Sequence, residues 1–166
     1  MPASTEPIPA ELPRFRPYLA RQSEAGALQA ALAYLDVRAP HSGLPFTEAM
    51  LFGLGGGIGF SYFVFEYKSA RVKTLTLGTR ITTLEESSRP QFLQTICDRI
   101  GVPIRLVQSA SPTVANRGVR QALAEGTPPI VWIDLSGPPY RFAPTAEYAA
   151  GVVYAWTDDR ILLAGR

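Results

Sequence analysis

The sequence predicts an α+β fold in which an N-terminal helix packs on an antiparallel sheet. Three observations carry this. Helical periodicity comes first along the chain, over residues 23–35. Strand-like segments follow, with only two helices between them. The last apolar segments, 148–157 and 160–164, read as a hairpin around Asp158-Asp159. A doubly wound fold needs strand and helix in strict succession, and this order does not supply it.

Each element has its own warrant. In 23–35, Ala27, Leu28, Ala31, Leu32 and Leu35 fall on one helical stripe. Ser23 stands in front as an N-cap, and Glu24 suits the first turn. Pro40 and Gly43 mark a loop. Thr47 then caps a short helix, 47–52, which runs into glycines. Residues 58–67, IGFSYFVFEY, form a strand by aromatic and β-branched content. Val72–Leu77 alternates as a second strand. Residues 90–100 make a helix, with Phe92, Leu93, Ile96, Cys97 and Ile100 on one face and Gly101 as its stop. Pro103–Val107 reads as a strand, Pro112–Glu125 as an amphipathic helix ended by Gly126, and Ile130–Leu135 as a buried strand. The main sheet is expected to hold 58–67, 130–135, 148–157 and 160–164.

The chain of 166 residues is 46% hydrophobic and 18% charged, enough for one domain with a sizeable core. Residues 1–17 carry Pro2, Pro7, Pro9, Pro13 and Pro17 and read as an extended Pro-rich arm, with 1–14 the part least suited to packing. Residues 18–166 read as a single domain. The start is not a signal peptide. The apolar stretch 44–67 is broken by Thr47, Glu48, Glu66 and five glycines, so it is no membrane span, and a cytoplasmic location is expected. A net charge of +2 gives no one-sign field, which argues against nucleic acid. One Cys excludes an internal disulfide, and one His excludes a multi-histidine metal site. No cofactor and no metal are expected.

Few side chains remain for chemistry. The run Gly53-Leu54-Gly55-Gly56-Gly57-Ile58-Gly59 follows a helix and precedes a strand, the reverse of a dinucleotide fingerprint, and lacks the lysine of a P-loop. It reads as a tight turn, with lining of a site as the other role open to it. Cys97 reads as a buried apolar side chain. His41, in Ala-Pro-His-Ser-Gly, reads as a solvated loop residue, and Glu85-Glu86 as a solvated loop or cap. Asp134 ends a strand next to a Ser-Gly-Pro-Pro turn. Ser23 stands at a helix N-terminus, where backbone amides favour an anion. A cysteine there would be activated, whereas a serine is only a good cap unless a base sits beside it.

Two segments carry a resemblance. They are Ser23-Glu24-Ala25-Gly26-Ala27-Leu28 and the stretch from Phe46-Thr47-Glu48-Ala49-Met50-Leu51-Phe52 through Gly53–Gly59 to Phe60-Ser61-Tyr62-Phe63. Together with Gly126–Leu135, Pro139-Tyr140 and Val152–Trp156, they resemble the N-terminal domain of the butirosin biosynthesis protein H family, over roughly 18–166. That resemblance implies a papain-like (cysteine-proteinase-type) fold. It also implies an acyltransferase that moves an acyl chain from an acyl carrier protein thioester to an amine, usually with a second domain. The implied ligand cleft involves Gln22, Glu48, Gly55, Gly56, Gly57, Tyr148 and Ala149.

The departures bear on activity. The family's His-Cys pair falls on Gln22-Ser23. Its general-base histidine falls on Ala149, or on Tyr148 in a register shifted by one, and its final acidic residue on Gly165. His41 follows the far end of a helix ~18–20 Å long, remote from Ser23. Two functions are therefore expected to compete. One is a non-catalytic module holding a peptide, an acyl-carrier arm or a partner domain. The other is an acyltransferase or amide hydrolase using Ser23 as nucleophile. The first needs no base beside Ser23, and the second needs one. The pattern fixes neither the ligand nor the oligomeric state.

Overall fold

The computed structural model describes residues 10–67, 72–79, 89–136, 148–157 and 160–165. Glu85-Glu86, the Asp158-Asp159 turn, Pro139-Tyr140 and the first nine residues lie outside them. Packing divides the chain into two compact units. One joins Met1–Glu48 to Arg105–Arg166, and the other is Ala49–Ile104.

The first unit is organised by one strand. β5 (Tyr148–Trp156) pairs antiparallel with β4 (Ile130–Asp134), β6 (Ile161–Ala164) and the short β1 (Ala10–Glu11). Val152 is opposite both Ile130 and Ala164, so β4 and β6 lie on different edges of β5. Trp156 is opposite both Ala10 and Ile161, which puts β1 on the β4 side. The hydrogen bonds from Leu12 N to Tyr154 O (2.8 Å) and from Val153 N to Pro129 O (3.0 Å) continue that shared edge. Consecutive positions Ala149–Val153 are all buried, so both faces of β5 are covered. Helices α1 (Ser23–Tyr34) and α4 (Pro112–Ala124) supply the cover. Leu12, Ala27, Leu123, Ala150, Val152, Val153 and Trp156 form the core. Leu12, in the stretch expected as an arm, is only 1% exposed.

Helix α1 buries more than a stripe. Glu24 and Ala25 to Leu28 are buried in succession, with Ala31 and Leu32, whereas Leu35 lies past the helix and is exposed. Gly26 explains the close covering. A Cβ there would stand 2.2 Å from the Ala20 Cβ and 3.3 Å from its Cα, so the chain before the helix crosses where only glycine fits.

In the second unit, α2 (Glu48–Leu54, its first residue belonging to the other unit) leads into the glycine run. Gly57 N donates to Phe52 O and Gly56 N to Gly53 O, both at 2.9 Å, and Gly56 has φ +74°. That is a Schellman ending, which needs a left-handed residue at the Gly56 position. Gly55 and Gly57 lie against the Phe92 and Phe52 rings with no room for a Cβ. The expected tight turn is therefore present. Helix α1 closes the same way, with Asp36 at φ +52° in the glycine position. Helix α3 (Arg89–Ile100) buries Phe92, Leu93, Ile96 and Cys97, as its periodicity predicts.

Several expectations are corrected. Residues 58–67 do not join the main sheet. β2 (Phe60–Tyr67) is paired along its whole length with β3 (Val72–Thr79) in a separate two-stranded ribbon. Both edges of β5 are already occupied by strands of its own unit. Residues 103–107 form no strand, because Pro103 lacks an N–H and Leu106 and Val107 stay exposed without a ladder partner among the described residues. Strand β4 is half-buried rather than buried.

Candidate functional site

The site grows from the way the chain enters α1. Gln22 is extended (φ −121°, ψ 116°) and is the N-cap, with its side-chain oxygen accepting from Ala25 N at 2.5 Å. Ser23 is therefore the first helical residue rather than the cap. The longer Gln22 side chain reaches back to the same first-turn donors that a serine cap would satisfy.

Two carboxylates bracket this turn. Glu48 accepts from Arg21 N at 3.0 and 3.2 Å and from Gln22 N at 2.6 Å. Its carboxylate holds the backbone that enters α1. Its charge also acts on Tyr18, whose hydroxyl is held protonated beyond its ordinary range by burial and then by Glu48.

Glu24 is the buried carboxylate, 8% exposed. One of its oxygens accepts from Ser23 Oγ at 2.8 Å and from the Gln22 side-chain amide. The other accepts from the Trp132 indole nitrogen on β4 at 3.4 Å. A buried carboxyl group needs such partners, and an acidic residue in the first turn of α1 suits the helix dipole. The cluster thus joins Gln22, Ser23 and Glu24 to the sheet through Trp132.

Sequence reasoning brought Gln22, Ser23 and Glu48 to one place and missed Glu24 and Trp132 as members. Signals for both were present. A glutamate at the head of an apolar helical stripe, followed by Ala-Gly-Ala, needs hydrogen-bond donors if it is buried with that stripe. A tryptophan in an apolar strand needs an acceptor for its N–H. Ala149 is buried in β5 opposite Ile133, and Tyr148 is half-buried opposite Asp134. Gly55, Gly56 and Gly57 belong to the second unit and form the turn after α2. His41 is exposed in a loop closed by the Ala39 N to Leu44 O hydrogen bond.

Chemically, the Ser23 hydroxyl donates a hydrogen bond to a carboxylate. A carboxylate is a weaker base than imidazole by about 2 pKa units, and this one is already engaged by other donors. The arrangement fixes Ser23 more than it activates it. Among the described residues, no group of three or more His, Cys, Asp or Glu side chains is placed to hold a metal, and no helix is long and apolar enough to cross a membrane.

A family model described as "Butirosin biosynthesis protein H, N-terminal" matches residues 24–159. The matched span begins immediately after Ser23 and ends before Gly165. No curated protein and no solved structure matches the chain.

Proposed function

The chain belongs to the butirosin biosynthesis protein H N-terminal family, and from this premise we propose that it is a papain-like domain that binds rather than transfers. It would hold a peptide, an acyl-carrier arm or a partner domain. The observation that carries this reading is the 2.8 Å hydrogen bond from Ser23 Oγ to Glu24. The hydroxyl in the nucleophile position is spent on a hydrogen bond to a buried carboxylate. The Gln22 side chain, in the position of the family's histidine, caps the helix. Ala149, or Tyr148 in the shifted register, and Gly165 supply no imidazole and no carboxyl where the resemblance places the family's base and acid.

A second reading uses the same contact: Glu24 takes the Ser23 proton, the serine oxygen attacks the carbonyl of an acyl thioester or an amide, and the thiol or amine leaves with that proton as the acyl–serine ester forms. Incubation with an activated thioester followed by intact-mass spectrometry separates the two. An unmodified mass supports the binding module. A mass increase localised to Ser23, lost in both Ser23→Ala and a folded Glu24→Gln variant, overturns it and establishes the acyl-enzyme.

A further inference from the structure

The segment Pro13–Leu19 runs over α1 and leaves a groove of about 730 Å³. That lies within the ~300–1,000 Å³ range of pockets for small ligands. Its lining is divided by chemistry. Phe15, Tyr18 and Tyr34 are aromatic, Ala33 is small, and Arg14 and Arg16 carry charge, with no acidic side chain facing them. Phe15 is held in place by stacking on Tyr154 (centroids 5.4 Å apart, planes 11°) and by a tilted contact with Tyr34 at 5.9 Å. The aromatic wall is preorganised.

Arg14 occupies its place against local preference. Phe15 N bonds to Leu12 O at 3.2 Å around Pro13-Arg14, and Arg14 has φ +65°. This is a type II turn, whose third residue favours glycine. A left-handed arginine costs stability that glycine would not, and such outliers cluster at ligand sites. Neither Arg14 nor Arg16 has an ion-pair or hydrogen-bond partner among the described residues.

We infer that this groove binds a small amphipathic anion. A carboxylate, sulfonate or phosphate would meet Arg14 and Arg16, and a flat apolar body would lie against Phe15 and Tyr34. The inference is independent of whether Ser23 reacts, because no groove residue belongs to the Gln22–Glu24 cluster.

The probe is anilinonaphthalene sulfonate, titrated by fluorescence against the intact chain, beside its uncharged parent amine. One saturable site is expected, with the parent amine binding at least about tenfold more weakly, as loss of a charge-assisted contact requires. Arg14→Gly, which suits the turn, combined with Arg16→Gln should weaken the sulfonate by a similar factor without lowering the melting temperature. Ala33→Trp should block the groove while the circular dichroism stays native. Absence of saturable binding, equal binding of the uncharged amine, or affinity unmoved by the arginine changes would each overturn the proposal.

Discussion

Strands β5 and β2 are both rich in apolar residues and end in opposite surroundings. β5, YAAGVVYAW, is buried along nearly its whole length. In β2, FSYFVFEY, Tyr62 is 71% and Val64 60% exposed, and their opposite partners Leu77 and Leu75 are 68% and 58% exposed. The difference lies in neighbours. β5 has strands on both edges and helices over it, whereas β2 has a single strand partner among the described residues. Apolar content selects the strand, but burial follows from how many elements can reach it.

The comparison is sharpest for matched truncations. Leu32→Ala, on the buried side of α1, should cost ~2–5 kcal/mol in urea unfolding. Leu77→Ala, on the ribbon, should stay within about 0.5 kcal/mol. A large cost at Leu77 would show that the ribbon is covered in solution. Next, Gly26→Ala should cost ~1–3 kcal/mol, because the Ala20 segment must lift from α1. Gly56→Val should cost a similar ~1–3 kcal/mol through strain at φ +74°. An unchanged melting temperature would demote that turn to a linker.

A third test asks whether the second unit has a core of its own despite its exposed ribbon. Cys97 is 1% exposed, and burial, aided by Asp98, pushes its thiol up to about 11 from an ordinary value of 9.0. The unfolded chain releases this proton first. The contribution to stability is therefore complete below about pH 9 and is lost as pH rises toward about 11. Thiol labelling at neutral pH should be slow in the native protein and fast in denaturant. Rapid native labelling would break the parallel between the two units. The smallest effect is a gain. Asp36→Gly should add ~0.5–1 kcal/mol by relieving a left-handed aspartate. Its exposed ion pair with Arg38 offsets little of that.

Element by element, local pattern was a good guide. The α3 face, the glycine stop at Gly101 and the strand limits near 130 and 148 follow from periodicity and turn chemistry. Pairing is less legible, because a strand's sequence does not name its partner: the apolar pattern of 58–67 marks a strand but not that β3 rather than the main sheet receives it. At the site, Gln22, Ser23 and Glu48 were brought together by resemblance. The Glu24–Trp132 link joins residues far apart in sequence and was invisible to any local window.

The place of β5 in the sheet has a consequence for synthesis. Its partners come from the start of the chain, from the region after the second unit, and from the last strand. Ala10 waits for Trp156 before its ladder can close. A chain emerging from the ribosome therefore holds β1, α1 and α4 without the strand they cover until nearly everything has been translated. By contrast, β2 and β3 are neighbours in the chain and can pair as soon as both have emerged. Contacts this distant make assembly slow and leave the α1 surface open to aggregation meanwhile. The unit with the firmest core should be the last to form, and dilution or a holding chaperone should raise its yield more than any single stabilising substitution.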